Sequence, residues 1–464
     1  MPRLMRCKYC GTLQDEPIGV KRCAQCGGEL VFEPEGVLPA GSYVRAWLEL
    51  DQVSVPAGQS VERHLIVTVE TPDALPSHEC APTASGRDPL NFVAVLDVSG
   101  SMGGDKIKAA KEAVHQAVSR LQDGDWFSLV TFASDVRCPL ESRPIDGGFR
   151  RVIAGALQEI QAGGQTALCG GLEKGIEQAQ KNKLKTNLVL LLSDGQANVG
   201  ETDVEGVGRR ALVARKKGII VSTLGVGNDY NEALMTEVAL DGGGRFYHIA
   251  NTAQIAAYLS GELGEVASLA ARNAVVSFEL PAGAALSSFS AAYPVQGHEI
   301  GLGDIPLSTR LEVVVQVLLP PQTAEAQLFV GGKLRYESPA GHRLSTVMNQ
   351  VTLRCQPTFV FSEGVIRPVA RRVLAQMQSA GVLVVSKAAA RSKQEAAQQH
   401  ATTLEAIHRY ASLLGEDEAG AELVRESERV LRLLAFADVH SASADAKFAV
   451  HQAMKKHRGS KDFA

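Results

Sequence analysis

The stretch NFVAVLDVSGSM, residues 91–102, decides how the rest of the chain is interpreted. A nearly continuous run of apolar, largely β-branched residues ends abruptly at Asp97. Such a run is typical of a strand in a parallel sheet that helices cover on both faces. Asp97, Ser99 and Ser101 then follow at the carboxyl end of this strand, where open α/β sheets bind their ligands.

Two further stretches carry polar residues at comparable positions. Gly163-Gly164-Gln165-Thr166 is a glycine-rich loop between two predicted helices. Residues 187–194, NLVLLLSD, form a second buried-strand run that ends in Asp194. Because the carboxyl ends of parallel strands share one edge of a sheet, we expect these two carboxylates, two serines and one threonine to meet there.

On these three segments the chain resembles a von Willebrand factor type A domain with a complete metal-ion-dependent adhesion site. The resemblance implies that the hydroxyl oxygens of Ser99, Ser101 and Thr166 bind a divalent cation. It also implies that Asp97 and Asp194 act mostly through bound water. The alternative is that Ser99 and Ser101 only cap a helix, since serine is a good N-cap residue.

Mg²⁺, or Mn²⁺ in its place, suits a site built only from oxygen atoms. Neutral hydroxyls and water-bridged carboxylates leave the charge of the metal incompletely neutralised. The metal therefore favours an anionic ligand from outside the chain. We expect a partner protein that presents an Asp or Glu side chain to this site.

A second metal pattern lies near the N-terminus. Two C-x₂-C pairs are separated by twelve residues, and each pair is followed directly by glycine. Four thiolates at this spacing predict tetrahedral Zn²⁺ in a structural zinc ribbon, held by Cys7, Cys10, Cys23 and Cys26. A pair of disulfides or a redox-active C-x-x-C motif is the alternative. A segment this small has little core, so zinc is expected to be a condition of its folding.

Composition restricts the remaining function classes. The 464 residues are 45% hydrophobic and 21% charged, which is typical of a globular protein, and the formal net charge is −4. This balance gives no reason to expect nucleic acid or an anionic membrane surface as a partner. The N-terminus lacks the apolar core of a signal peptide, and apolar runs fall short of the roughly 20 residues that span a bilayer. We expect a cytoplasmic protein without a membrane partner.

The predicted fold class is an α/β doubly wound, mostly parallel sheet with a flanking antiparallel β-sandwich, an N-terminal zinc ribbon and C-terminal helices. Alternating strands and helices predict the α/β domain, and short alternating strands with prolines and glycines predict the sandwich. Early strands without a sheet of their own predict that the sandwich is discontinuous. The expected domains are a zinc ribbon at 1–32, a sandwich at 42–72 plus 273–361, the α/β domain at 88–272 and a helical region at 362–464.

The leading functional prediction is a non-enzymatic, metal-dependent scaffold for protein–protein interaction. One alternative is a Mg²⁺-dependent hydrolase, because Mg²⁺ polarises phosphates, although the sequence offers no nucleophile, base or second metal near the site. Another is a nucleic-acid-associated protein that uses the zinc ribbon, against which the mildly acidic balance counts.

Overall fold

In a computed structural model of the chain, the described residues are 4–7, 13–15, 22–25, 30–32, 42–79, 88–227, 230–249, 251–290, 292–358, 360, 362–436 and 448–453. The first three strands form a small antiparallel sheet with the order β2-β1-β3. Their bounds are Leu4–Cys7 (β1), Leu13–Asp15 (β2) and Leu30–Phe32 (β3). Three more strands precede the α/β domain, namely Arg45–Leu50 (β4), Ser54–Pro56 (β5) and Val61–Glu70 (β6).

The α/β domain is a six-stranded sheet with the order β12-β11-β10-β7-β8-β9, parallel except for the edge strand β9. Its strands are Leu90–Asp97 (β7), Trp126–Phe132 (β8), Val136–Pro144 (β9), Thr186–Ser193 (β10), Ile220–Val226 (β11) and Gly243–Ile249 (β12). Its helices are Asp105–Arg120 (α1), Gly147–Glu159 (α2), Leu168–Lys181 (α3), Val204–Lys216 (α4), Glu232–Asp241 (α5) and Ile255–Ala267 (α6).

Helices cover both faces of this sheet. Phe92, Ala94 and Leu96 of β7 belong to one hydrophobic cluster with buried residues of α1, α2 and α6. The alternate residues Val93 and Val95 belong to a second cluster with α3, α4 and α5. All eight residues of β7 are buried, which explains why its sequence is a continuous apolar run rather than an alternating one. The prediction of a doubly wound, mostly parallel sheet is confirmed.

Two mainly antiparallel sheets flank the α/β domain. Their later strands are Leu269–Glu279 (β13), Ala285–Ser288 (β14), Val295–Gln296 (β15), Glu299–Pro306 (β16), Arg310–Leu319 (β17), Gln327–Glu337 (β18), Arg343–Val347 (β19) and Val351–Gln356 (β20). One sheet has the order β14-β17-β6-β4, and the other has β15-β16-β13-β18-β20-β5 with β19 beside β18. Strands from before and after the α/β domain therefore lie side by side in both sheets.

The C-terminal region is helical. Its helices are Arg367–Arg391 (α7), Lys393–Ala411 (α8) and Glu418–Phe436 (α9), and residues 448–453 form a further helical turn. The three long helices contact one another, and α7 also contacts α5, where Lys387 Nζ lies 2.5 Å from Glu237 Oε1. Among the described residues, α7 alone is long and apolar enough to cross a membrane, and half of its apolar window is buried within the protein.

Candidate metal centre

The first predicted site residues lie at the carboxyl end of β7. Asp97 is completely buried, and each of its carboxylate oxygens accepts a hydrogen bond. The Ser99 N–H donates to Oδ1 at 2.8 Å, and the Ser193 hydroxyl donates to Oδ2 at 2.5 Å. These bonds fix the carboxylate at the base of the site.

Asp194 directly follows β10, the neighbour of β7 in the sheet. Its side chain is buried, and Oδ1 accepts a hydrogen bond of 2.8 Å from the Ser101 hydroxyl. The Ser101 and Ser99 hydroxyl oxygens are 3.1 Å apart. Four of the five predicted residues are therefore linked in one network at the carboxyl edge of the sheet.

The glycine-rich loop brings Thr166 to the same edge. Gly100 N–H donates to the Gly164 carbonyl at 3.0 Å, which ties this loop to the segment after β7. The backbone of Thr166 is held by Asn198, whose Oδ1 accepts from the Thr166 N–H at 2.8 Å. Gly164 has a φ of +85°, and a Cβ there would approach the Ser134 hydroxyl to 2.8 Å, so a side chain would disturb the loop.

The oxygen atoms converge on a space beside Gly195, the residue after Asp194. A Cβ added to this glycine would lie 3.2 Å from Thr166 Oγ1, 3.4 Å from Ser101 Oγ and 3.7 Å from Asp97 Oδ2. Glycine leaves this space open. Two hydroxyls and one carboxylate surround this position, and the Ser99 hydroxyl and the Asp194 carboxylate are joined to them through Ser101. These are the hard oxygen donors that Mg²⁺ prefers, so the residues fit the implied metal.

The charges at the site need compensation. Burial raises the pKa of Asp97, its hydrogen bonds with Ser193 and Ser99 lower it, and the charge of Asp194 raises it further, with a net upward shift. Two buried carboxylates in one hydrogen-bonded network are costly unless cations offset them. Lys106 supplies one cation, because its ammonium group pairs directly with Asp194 Oδ2. A divalent metal would supply more positive charge between the carboxylates.

The capping alternative for the serines finds no support in the geometry. Ser99 precedes a short turn at residues 100–102, but its side chain makes no capping hydrogen bond. The N-cap residue of α1 is Gly104. The side chains of Ser99 and Ser101 face each other and Asp194 instead, as ligands of a shared metal would.

Sequence reasoning missed three residues at the site, namely Ser193, Asn198 and Lys106. Ser193 stands beside Asp194 in the sequence, so its position at a strand end was an available signal. Asn198 lies in the polar loop after β10 and contacts Thr166 through the fold alone. Lys106 looks like an ordinary solvated residue of a helix, and only the placement of α1 over the sheet edge brings it to Asp194.

The zinc-ribbon prediction falls only partly on the described residues. Cys7 ends β1 and is buried, Cys23 is also buried, and Cys10 and Cys26 lie outside the described residues. The Gln25 N–H donates to Cys23 Sγ at 3.4 Å. Within the described ranges, no three His, Cys, Asp or Glu side chains converge as a metal-binding group. The Zn²⁺ site therefore stays a prediction.

The curated relatives match about half of this chain, and the chain spans 36% of the length of the first of them. It is 31% identical over 215 residues to the uncharacterized protein YfbK of Escherichia coli K12, covering 46% of this chain and 36% of that one. It is 27% identical over 288 residues to the uncharacterized protein sll0103 of Synechocystis, covering 58% and 67%. It is 28% identical over 236 residues to inter-alpha-trypsin inhibitor heavy chain H3 of Mus musculus, covering 48% and only 26%.

A solved structure resembles nearly the whole fold. The von Willebrand factor type A protein from Catenulispora acidiphila superposes with a TM-score of 0.62 at 18% identity, covering 90% of this chain and 98% of that one. Residues 91–260 also match the profile of the von Willebrand factor type A domain. The sheet order, the helices on both faces and this match agree, so residues 91–260 are a von Willebrand factor type A domain.

Proposed function

We propose that the protein is a metal-dependent scaffold for protein–protein interaction. Mg²⁺, or Mn²⁺, is held by the adhesion-site residues Asp97, Ser99, Ser101, Thr166 and Asp194. A partner protein completes the coordination with the carboxylate of an Asp or Glu. The metal supplies a positive charge to which that carboxylate binds, and the chain orients it.

The space beside Gly195 is the observation that carries this proposal. The oxygens of Thr166, Ser101 and Asp97, which belong to two separate loops, lie within 3.7 Å of this position, and no side chain of residue 195 fills it. Ser101 and Gln165 at the same edge are exposed, so a group from outside can approach the position. An all-oxygen pocket with an open side supports a metal that binds an external anion.

The same geometry favours binding over catalysis. Asp97 and Asp194 are the carboxylates at the site, and each already accepts two hydrogen bonds from the chain. A general base must be available to take a proton from the reacting molecule. Neither carboxylate has that freedom, so we propose that the protein is not an enzyme. The predicted cytoplasmic location stays a prediction.

We also propose that Cys7, Cys10, Cys23 and Cys26 hold a structural Zn²⁺, supported by the buried thiols of Cys7 and Cys23. Beside this sheet, the Arg6 guanidinium lies over the Trp47 indole of β4, with its carbon 5.2 Å from the ring centroid. Arg6 is only 6% exposed, so this arginine serves packing and is not available to a nucleic acid. The ribbon is therefore proposed as a docking or structural element.

The test is calorimetric titration of the whole protein with Mg²⁺, followed by capture of partners from a lysate with and without EDTA. The Thr166→Val variant removes one metal-binding hydroxyl while keeping the side-chain shape. We expect weaker Mg²⁺ binding and loss of the EDTA-sensitive partners. Asp97→Ala should lose both metal and partners.

Thr402→Val is the matched control, because Thr402 is exposed on α8 and its hydroxyl bonds only within that helix, to the Gln398 carbonyl. Thr402→Val should bind Mg²⁺ and capture EDTA-sensitive partners as the unmodified protein does. Partner capture that survives EDTA and both site substitutions would show that the interface lies on another part of the chain.

A further inference from the structure

Lys106 occupies an unexpected place in the metal centre. It is the second residue of α1, and its ammonium group contacts Asp194 Oδ2 while Ser101 holds Oδ1 at 2.8 Å. The Asp194 side chain is completely buried and the Lys106 side chain is 28% exposed. A buried carboxylate strengthens such a pair, since water screens it little.

The position of this lysine is unfavourable for the helix itself. The first turn of a helix carries the positive end of its dipole, so a cation there is disfavoured. The side chain passes close to Gly227 at the end of β11, where an added Cβ would lie 3.6 Å from Nζ. Lys106 is thus directed into the site rather than towards solvent, and the contact with Asp194 accounts for its placement.

From this contact we infer that Lys106 sets the net charge of the metal centre and thereby its preference for a carboxylate. The inference rests on the proposed function and assigns a role to a residue outside the five ligands. With Mg²⁺ bound, the formal charges of the metal and the two carboxylates sum to zero, and Lys106 adds one positive charge. Without Lys106 the loaded centre is neutral.

Two opposite effects follow from that single charge. Lys106 competes with the metal for Asp194 and repels it, so metal affinity is lower than the oxygen donors alone would give. The remaining positive charge attracts one monovalent anion, so an Asp or Glu side chain is preferred over a neutral oxygen ligand. Lys106 therefore lowers the affinity for the metal and raises the selectivity of the loaded centre for an anionic ligand.

The test compares Lys106→Met, which keeps the length and removes the charge, with Lys106→Arg, which keeps the charge. Calorimetry with Mg²⁺ alone measures metal affinity. We expect Lys106→Met to bind Mg²⁺ about tenfold more tightly, since a nearby repelling charge is gone. Acetate binding to the Mn²⁺-loaded protein, followed by water-proton relaxation, should weaken by about tenfold in the same variant. Lys106→Arg keeps the charge, so its Mg²⁺ affinity and its acetate affinity should stay close to those of the unmodified protein.

Lys108→Met is the matched control, because Lys108 lies in the same turn, is 76% exposed and pairs with exposed Asp105. It should leave both affinities unchanged. Equal or weaker Mg²⁺ binding by Lys106→Met would overturn the inference while leaving the proposed function intact. Failure of the unmodified protein to bind Mg²⁺ would overturn the proposed function, and tight binding by Lys106→Met in that case would still support the inference. If neither the unmodified protein nor Lys106→Met binds Mg²⁺, the proposed function and the inference about Lys106 are both overturned.

Discussion

The Tyr410 hydroxyl donates a hydrogen bond of 3.1 Å to Asp51 Oδ2, joining the helical region to the segment after β4. The same carboxylate oxygen lies 2.9 Å from His64 Nδ1 on β6. All three side chains are less than 10% exposed. A carboxylate, an imidazole and a phenol thus form a buried polar contact between α8 and the sheets.

This contact predicts a pH dependence of stability. Burial alone would lower the pKa of His64, but the hydrogen bond with Asp51 and the nearby Glu62 carboxylate, 3.4 Å from Nε2, raise it from 6.5 to about 9. Since the folded-state pKa is above the unfolded value, the stabilisation is complete below pH 6.5 and is lost as the pH rises through 9. We expect the free energy of unfolding to fall by up to about 3 kcal/mol over this window.

Chemical denaturation at a series of pH values measures the effect. His64→Gln should flatten the decline, whereas His408→Gln, at a histidine whose side chain is 52% exposed on the same helix as Tyr410, should not. If the free energy of unfolding fell equally with pH in the unmodified protein and in both variants, His64 would not be the source of the decline.

Gly195→Ala should abolish Mg²⁺ binding without unfolding the protein. The new methyl group would stand 3.2 Å from Thr166 Oγ1, in the space proposed for the metal. Gly195 does not have a positive φ, so alanine is compatible with its backbone. The stability change should stay within about 1 kcal/mol, as for most tolerated substitutions.

Gly155→Ala provides the comparison, because an added Cβ there meets no atom within 4 Å. Calorimetry and thermal unfolding of both variants check the prediction. Undiminished Mg²⁺ binding by Gly195→Ala would place the metal elsewhere.

Removal of zinc should change the fluorescence of Trp47. The indole is 9% exposed, and its ring centroid lies 5.2 Å from the guanidinium carbon of Arg6 on β1 and 5.4 Å from that of Arg310 on β17. If Zn²⁺ holds the first sheet together, a chelator releases Arg6 and lets water reach the ring, which shifts its emission to longer wavelength. The chain has two tryptophans, so Trp126→Phe isolates this signal.

The same titration on Trp47→Phe should show no shift from the remaining tryptophan. Loss of zinc, measured by elemental analysis, with unchanged Trp47 emission would mean that the metal does not maintain this contact.

A chain that begins at Leu90 should fail to form the flanking sheets. It lacks β4 and β6, and β6 pairs with all ten residues of β17. The remaining β17 would then expose an unpaired edge and an apolar face, which promotes aggregation. Residues 88–268 alone, which omit both sheets, should stay soluble and bind Mg²⁺. A Leu90–Ala464 chain that unfolds at the same temperature as the full chain would disprove the dependence.

The sequence predicted the α/β domain well because its strands are buried on both faces. The runs that form β7 and β10 are continuous apolar stretches of strand length, which is typical of fully covered strands, and the acidic residues that end them mark the edge of the sheet. Thr166 lies in a loop between two helices rather than at a strand end, so its role as a metal ligand follows from resemblance to a family.

Other features depend on contacts that no local pattern reveals. The sequence predicts that the α/β domain extends to residue 272, but α6 ends at Ala267 and Leu269 already begins β13. Ala270 and Ala271 favour a helix locally, yet both are completely buried in the sheet that β13 joins. Lys106 likewise gains its role from Asp194, which is far away in the sequence.

The insertion of the α/β domain between strands of one sheet has a consequence for biosynthesis. Glu62 and Gln316, whose side chains hydrogen bond at 3.1 Å across β6 and β17, are 254 residues apart. At a translation rate of roughly 5–20 residues per second, β17 is synthesised of the order of ten to fifty seconds after β6. Nascent chains halted near residue 290 should already protect amides of β7 and β10 from hydrogen exchange, while those of β6 still exchange. The domain that carries the metal centre is thus finished before the sheets that hold it, and during that interval the early strands are the part of the chain that a chaperone must cover.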